Sequence, residues 1–229
     1  MSNDDGEVHP RSLAGATVLQ IVPALREEPV ARTALNVADA LRQADARALV
    51  AAEDGPLVTE LTASGGEWVP LVNDTINPFR LKRSARALER LIASERTDIV
   101  HTQRAGGAWV ASMAAARITV WLVTALLDVP PASNLHAYWA AALARGDWVI
   151  TPSNYAAAPV IARHNIPAER LTIIPRSIDI AAFDPAALDA APVEACARRG
   201  EFRTRRGSCW FPGASPLGMV NLFSPMSHA

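Results

Sequence analysis

Thr17-Val18-Leu19-Gln20-Ile21-Val22, followed by Val30–Ala44 (VARTALNVADALRQA), sets the reading of this chain. The first run is short, mostly apolar and rich in β-branched residues, as a strand buried on both faces must be. The second places Ala31, Ala34, Leu35, Ala38 and Leu41 along one stripe of a helix. Outward from this pair the same alternation recurs. Arg47–Ala52 reads as a second strand, Pro56–Ala63 as a short helix and Glu67–Leu71 as a third strand, with a turn at Gly65-Gly66. Asn77-Pro78 opens a long helix to Glu95, because proline near a helix start wastes no donor. Ile99–Thr102, Val120–Thr124, Trp148–Thr151 and Leu171–Ile174 supply four more strands. Helices are expected at Gly107–Ala116, from Ser133 to Ala144, and at Asn154–Arg163. The fold class is therefore α/β, an open parallel sheet of about seven strands with helices on both faces.

Composition narrows the function. Half of the 229 residues are hydrophobic and 20% are charged, enough for a sizeable core and against wholesale disorder. A net charge of −1 disfavours nucleic acid as a partner. Two cysteines, Cys196 and Cys209, exclude a disulfide scaffold and a four-cysteine zinc site, and fit a reducing, cytoplasmic setting. Met1–Ser12 lacks the basic and apolar regions of a secretory signal. Ala105–Leu127 is long enough to span a bilayer. However, Gly106-Gly107 opens it, Arg117 splits it, and its second part is β-branched, so a buried helix followed by a buried strand is expected. There is no G-x-G-x-x-G, no phosphate-binding P-loop, no H-E-x-x-H, no paired C-x-x-C and no G-x-S-x-G. Dinucleotide enzymes, P-loop enzymes and α/β-hydrolases are disfavoured, and a metal site has no support.

Ligands of open parallel sheets bind at the carboxyl ends of the strands. Interest therefore falls on Pro23–Pro29, Glu53–Gly55, His101–Gly107, Thr124–Asp128, Pro152–Asn154 and Pro175–Asp179. An ordered set of pieces runs through the same region. It comprises Val18–Pro23 (VLQIVP), Ala31–Leu41 (ARTALNVADAL), Asp98-Ile99-Val100-His101, Ala144-Arg145-Gly146-Asp147 with Val149–Ser153 (VITPS), Ile173–Asp179 (IIPRSID) and Phe183-Asp184-Pro185. Together, from Thr17 to Pro185, they resemble the N-terminal, acceptor-side domain of glycosyltransferase family 4, the retaining sugar transferases of GT-B fold. Bacterial members that build lipopolysaccharide and other envelope polysaccharides are most similar.

The resemblance implies a Rossmann-like domain that holds the acceptor, paired in the family with a donor domain carrying glutamates and a phosphate clamp. It implies transfer of a hexose from a nucleotide diphosphate sugar to an envelope glycan acceptor, with no metal or other cofactor. A cytoplasmic site follows, with peripheral association at the inner membrane face. Three segments are expected: a flexible N-terminus (1–14), the family-like domain (15–186) and an irregular tail (187–229). Without a donor domain, the isolated chain is expected to be catalytically incomplete. The alternative is a non-catalytic module that binds a glycan or docks a separately encoded partner.

Two loops depart from the family pattern. Where the family carries Gly-Gly after the first strand, this chain has Arg26-Glu27-Glu28-Pro29, a poor cradle for phosphate. Where the family often places His-Gly after the fifth strand, it has Leu126-Leu127, then Asp128. The tail also permits a second reading of its codons. Ser208-Cys209-Trp210-Phe211 can all be encoded by triplets beginning with T, so a two-nucleotide shift would put T at the centre of four successive codons, giving apolar residues. With Pro212-Gly213-Ala214 next, the shifted frame reads as a strand and glycine-arginine loop entering a donor domain. A frameshift near residues 188–194 is the expectation.

Each candidate site residue has a chemical and a structural reading. His101 could bond an acceptor hydroxyl or be satisfied by its own loop. Arg104 could meet an acceptor phosphate or carboxylate, or be a solvated loop cation. Ser153 could face the cleft, but capping the next helix is the favoured role. Arg176 and Asp179 mark the passage toward a second domain, with Asp179 fixing the hinge. Glu27 and Glu28 are adjacent, point apart and make no convincing acid/base pair. Asn36 and Asp39 read as a solvated helix stripe. Trp109, Trp121, Trp139 and Trp148 are expected in the core, while Trp68 and Tyr138 are available to stack on a sugar.

Overall fold

The computed structural model describes residues 12–73, 75, 77–126, 141–175, 203–205 and 208–210. Two compact units divide the chain, Met1–Arg176 and Ser177–Ala229. In the first unit the elements run β1 (Thr17–Ala24), α1 (Pro29–Gln43), β2 (Arg47–Glu53), α2 (Val58–Ala63), β3 (Glu67–Pro70), α3 (Pro78–Glu95), β4 (Ile99–Thr102), α4 (Ala105–Ala115), β5 (Trp121–Ala125), β6 (Trp148–Thr151), α5 (Asn154–His164) and β7 (Leu171–Ile173). All seven strands are parallel, in the order β3-β2-β1-β4-β5-β6-β7. The direction of winding reverses between β1 and β4, which is the switch point of a doubly wound, Rossmann-like sheet.

Two apolar layers hold the sheet. On one face Val18, Val22, Ala48, Val50 and Ala52 pack with Ala31, Ala34, Leu35, Ala38 and Leu41 of α1, the stripe expected from sequence. On the other, Leu19, Ile21, Leu49, Ala51, Val100 and Leu122 meet Leu81, Ala85, Leu88 and Ile92 of α3 and Val110, Ala111 and Ala114 of α4. The central strands are covered on both sides, so they read as unbroken apolar runs. The Ala105–Leu127 stretch resolves into α4 and β5, and no described helix is long and apolar enough to cross a membrane.

Two motif aspartates tie the amino-terminal edge of the sheet. The Asp98 carboxylate accepts from Thr17 N–H at 2.8 Å, and that of Asp147 accepts from Leu122 N–H at 2.8 Å. Each satisfies a strand-start donor that the ladder leaves free. Next to Asp147, the Arg145 guanidinium lies 4.3 Å from the Trp109 ring centre and fastens this segment to α4.

Tryptophan placement corrects one expectation. Trp121 and Trp148 are not core residues, since they are 68% and 46% exposed. Each is the first residue of its strand, at the amino-terminal edge, where burial by helices ends. The Trp148 indole N–H donates to the Thr172 hydroxyl at 2.8 Å. Trp109 is half-buried against the α3–α4 layer, and Trp139 lies outside the described residues. Trp68 packs on the α1 layer and donates to the Ala52 carbonyl, which places it structurally rather than as a free stacking surface. Tyr138 and the stretch 133–140 of the expected Ser133–Ala144 helix are outside the described residues, and Leu143–Arg145 forms a 3-10 turn.

In the second unit, β8 (Arg203–Arg205) and β9 (Ser208–Trp210) pair antiparallel, with Thr204 opposite Cys209. These six residues lie within the stretch whose sequence shows no sustained period.

Candidate functional site

The carboxyl ends of β1 and β4 meet at the switch point, and the loops that follow them build the candidate site. The β1–α1 loop is stapled to the β2–α2 loop. Leu25 N–H donates to Glu53 O at 3.1 Å, and Leu57 N–H donates to Leu25 O at 3.0 Å. Gly55 makes this approach feasible, because a Cβ there would stand 2.1 Å from the Leu25 carbonyl oxygen. The staple presents Arg26, Glu27 and Glu28 to solvent. Glu27 is held by Arg32 at 2.7 Å, and Arg32 also grips Glu60 at 2.6 Å, which raises the arginine's pKa through those hydrogen bonds. Glu28 occupies the N-cap position of α1 without a side-chain cap, and Pro29 removes a donor there. A helix start with no glycine, a proline and two carboxylates does not attract phosphate.

The β4 side is different in kind. Gln20 and His101 are register partners, so their side chains share one face of the sheet. The Gln20 amide N–H donates to Ala34 O of α1 at 2.9 Å, and its buried Oε1 has no partner among the described residues. The His101 ring is half-buried, but its Nε2 is sealed from solvent and also lacks a partner among the described residues. Burial pushes the His101 pKa down to about 4, so the ring is neutral at pH 7. Gln103, two residues on and only 4% exposed, has neither amide atom partnered among the described residues. The loop turns at once into α4, and Gly107 lets that helix sit on the strand ends. A Cβ there would lie 2.5 Å from the Thr102 hydroxyl oxygen and 3.0 Å from the Ile21 side chain. Arg104 caps α4 by position and is exposed, with no side-chain capping bond.

Further along the carboxyl edge the pattern repeats. Asn73, fully buried after β3, donates to Val22 O at 2.7 Å, and its Oδ1 has no partner among the described residues. The Thr151 hydroxyl at the end of β6 is buried and has no partner among the described residues. Native interiors rarely leave such groups unmatched, because each costs about 1–3 kcal/mol. Here Asn73, Gln103 and Thr151 lie at the edge where sheets of this type take ligands, with Gln20 and His101 just behind them at the switch point. Buried donors and acceptors so placed are suited to polyhydroxylated ligands, which both give and take hydrogen bonds.

Ser153 takes its structural role. Its Oγ accepts from Ala156 N–H at 3.2 Å and caps α5. Ser153→Ala is expected to cost about 1 kcal/mol, measurable as a lowered urea midpoint with an unchanged slope. Asn36 is exposed, and Asp39, also exposed, accepts from Gln43 at 2.7 Å, as a solvated stripe does. Leu126 is buried with Ala108, Leu143, Val149 and Ile166, and its N–H donates to Ile150 O. It fills core space and cannot offer a polar contact to a sugar. Asp128, Arg176 and Asp179 lie outside the described residues, as does Leu127. Among the described residues no group of histidine, cysteine and carboxylate side chains is arranged to hold a metal.

Sequence reasoning singled out His101 and Arg104 but passed over Gln103 between them. It also passed over Asn73 and the side chain of Gln20. The available signal was an amide inside or just beyond an apolar strand run, a place where burial without a partner is costly.

The model of the family described as Glycosyltransferase Family 4 matches residues 30–182, about two thirds of the chain. No curated protein sequence matches. Among solved structures, a glycosyltransferase from Rickettsia africae ESF-5 is similar at 26% identity and a TM-score of 0.67, over 81% of this chain and 49% of that one. Anabaena Alr3699/HepE, solved in complex with UDP and glucose, is similar in fold at 17% identity and a TM-score of 0.63, over 81% and 50%. Acinetobacter baumannii MurG follows at 14% and 0.52, over 72% and 47%. The chain spans about half the length of these structures, and its seven-stranded unit has the fold of one Rossmann-like half of a GT-B enzyme. With the family pattern matched across α1 to β7 and the parallel sheet it requires in place, the chain belongs to glycosyltransferase family 4.

Proposed function

We propose that the chain supplies the acceptor-side domain of a retaining hexosyltransferase. The donor would be a nucleotide diphosphate sugar and the acceptor an envelope glycan of lipopolysaccharide type, with chemistry on the cytoplasmic side of a membrane. The observation that carries this reading is the set of buried polar atoms on Gln20, His101, Gln103, Asn73 and Thr151, near one edge of the sheet, that have no hydrogen-bond partner among the described residues. In this role they exchange hydrogen bonds with acceptor hydroxyls and hold the nucleophilic oxygen in place. Positioning of this kind accounts for much of the rate in transfer reactions. Neutral His101 would accept or donate through Nε2 according to its tautomer. Donor binding and charge stabilisation would come from a donor-side domain of the kind that pairs with this one in the family.

Gln103→Ala tests the reading directly. It is expected to weaken binding of hexose-containing core oligosaccharides by roughly tenfold, the value of one or two hydrogen bonds. Isothermal titration would show it, and unchanged affinity in a folded variant contradicts the assignment.

A second reading is favoured by the β1–α1 loop. Exposed Glu27 and Glu28, with Glu27 locked to Arg32, face a region where phosphate would have to approach. This suits a glycan-binding or partner-docking module without catalysis. Glycan affinity that persists while an added donor domain restores no transfer would separate the two readings.

A further inference from the structure

One stretch of the sheet lacks the apolar cover that the rest has. Register places Trp121 and Val123 of β5, Trp148 and Ile150 of β6, and Thr172 of β7 on the face that also carries His101. Ile174 continues that face, its N–H bonded to Thr151 O at 2.9 Å. The residues that alternate with them, Leu122, Val149 and Leu171, point the other way and join the apolar layers of that side. Among the described residues, Trp121, Val123, Trp148, Ile150 and Ile174 belong to no such layer. The α1 layer on their own face reaches Ile99 of β4 and includes nothing from β5, β6 or β7. Trp121 is 68% exposed, Trp148 46% and Ile174 52%, while Val123 and Ile150 are half-buried. A position at a strand start explains an exposed tryptophan, but not Ile174 at the opposite end of the same face.

We infer that this face of β5, β6 and β7 is an interface between two copies of the chain, packed face to face about a twofold axis. Parallel sheets are covered on both faces, so apolar residues left bare on one of them call for a covering layer. The area fits a second copy. The two indoles leave about 280 Å² in water, and with Ile174 and the half-buried pair the patch reaches about 400 Å², the size of functional patches on monomers. A standard interface takes about 800 Å² from each partner, a little over half of it apolar. The relief of the face is self-complementary. Trp121 and Trp148 form a ridge across β5 and β6 at the amino-terminal end, and Val123 and Ile150 are the lower ground beside it. A twofold axis that reverses the strand direction seats the ridge of each copy on the lower ground of the other, as an isologous contact requires. The Trp148 ring is already held by its bond to Thr172, so little side-chain freedom is lost on packing. A net charge of −1 sets no strong repulsion between copies. This interface does not depend on the transferase reading.

Sedimentation equilibrium of the full chain from about 1 to 100 μM tests this. A monomer–dimer equilibrium is expected, with a dissociation constant in the micromolar range or tighter. Trp121→Glu and Trp148→Glu should each raise that constant at least about thirtyfold, as the loss of a central aromatic anchor does. Tyr155→Glu, on α5 and 83% exposed in the parent, should leave it unchanged. Circular dichroism establishes that each variant is folded. If neither glutamate variant is, acrylamide quenching of the parent decides: its tryptophan emission should be quenched less at about 100 μM than at about 1 μM, because association shields both rings. A monomer throughout the range, a dimer unmoved by the folded variants, mass that grows past the dimer with concentration, or quenching that is independent of concentration would each overturn the inference. So would a monomer whose exposed tryptophans are shielded by an added oligosaccharide, which would assign the rings to a sugar instead.

Discussion

Replacing Gly55 by alanine is expected to destabilise the seven-stranded unit by roughly 3 kcal/mol or more, the upper range for overpacking. The added Cβ would stand 2.1 Å from the Leu25 carbonyl oxygen and 2.4 Å from its carbon. Both are backbone atoms of a strand end held by hydrogen bonds to Glu53 and Leu57, so neither can swing aside as a side-chain tip would. Relief requires breaking the Leu57-to-Leu25 bond and separating the β1–α1 and β2–α2 loops. The urea midpoint should fall steeply. A variant within 0.5 kcal/mol of the parent, on the scale of a neutral surface change, would mean the two loops are not stapled as described.

Acid should remove stability through His101. Its folded pKa, about 4, lies below the ordinary value of 6.5 because of burial. The unfolded chain therefore binds the proton first. Stability from this group is complete above about pH 6.5, declines as pH falls, and is fully lost near pH 4. The difference amounts to roughly 3 kcal/mol. His164 shifts in the same direction, through burial and then the charge of Arg163, and adds to the decline. Glu67, held low by its hydrogen bond to Arg47, contributes stability that is lost only as pH falls below the usual glutamate range. His101→Gln should therefore flatten the stability curve between pH 6.5 and 4 and leave the more acidic limb unchanged. Urea unfolding at several pH values reads this, and identical slopes in the two proteins would contradict it.

Much of the architecture was legible because it rests on periodicity. The α1 stripe from Ala31 to Leu41 and the apolar runs of β1 and β2 identify a doubly covered sheet almost unaided. Asn77-Pro78 marks the start of α3, where the Asn77 side chain accepts from Phe79 and Arg80 N–H. Ends of elements were less legible. Trp121 and Trp148 were read as core because their strands are apolar, yet a strand's first residue can extend past the helices that cover the rest. The site was legible in place but not in membership. Topology put it at the carboxyl ends of β1 and β4, while Gln20, Asn73 and Gln103 became visible only when packing showed their amide atoms buried without partners. Asp98 and Asp147, pieces of the family pattern, prove to be ties at the opposite edge of the sheet.

The most direct test of the acceptor-side assignment is a pair of amide-resolved NMR titrations of the full chain, one with a hexose-containing core oligosaccharide and one with UDP-glucose. The account predicts that the oligosaccharide shifts the amides of His101, Gln103 and Thr151 in a saturable way, while UDP-glucose leaves them unmoved. Saturable shifts of those amides by UDP-glucose, with none from the oligosaccharide, would contradict it.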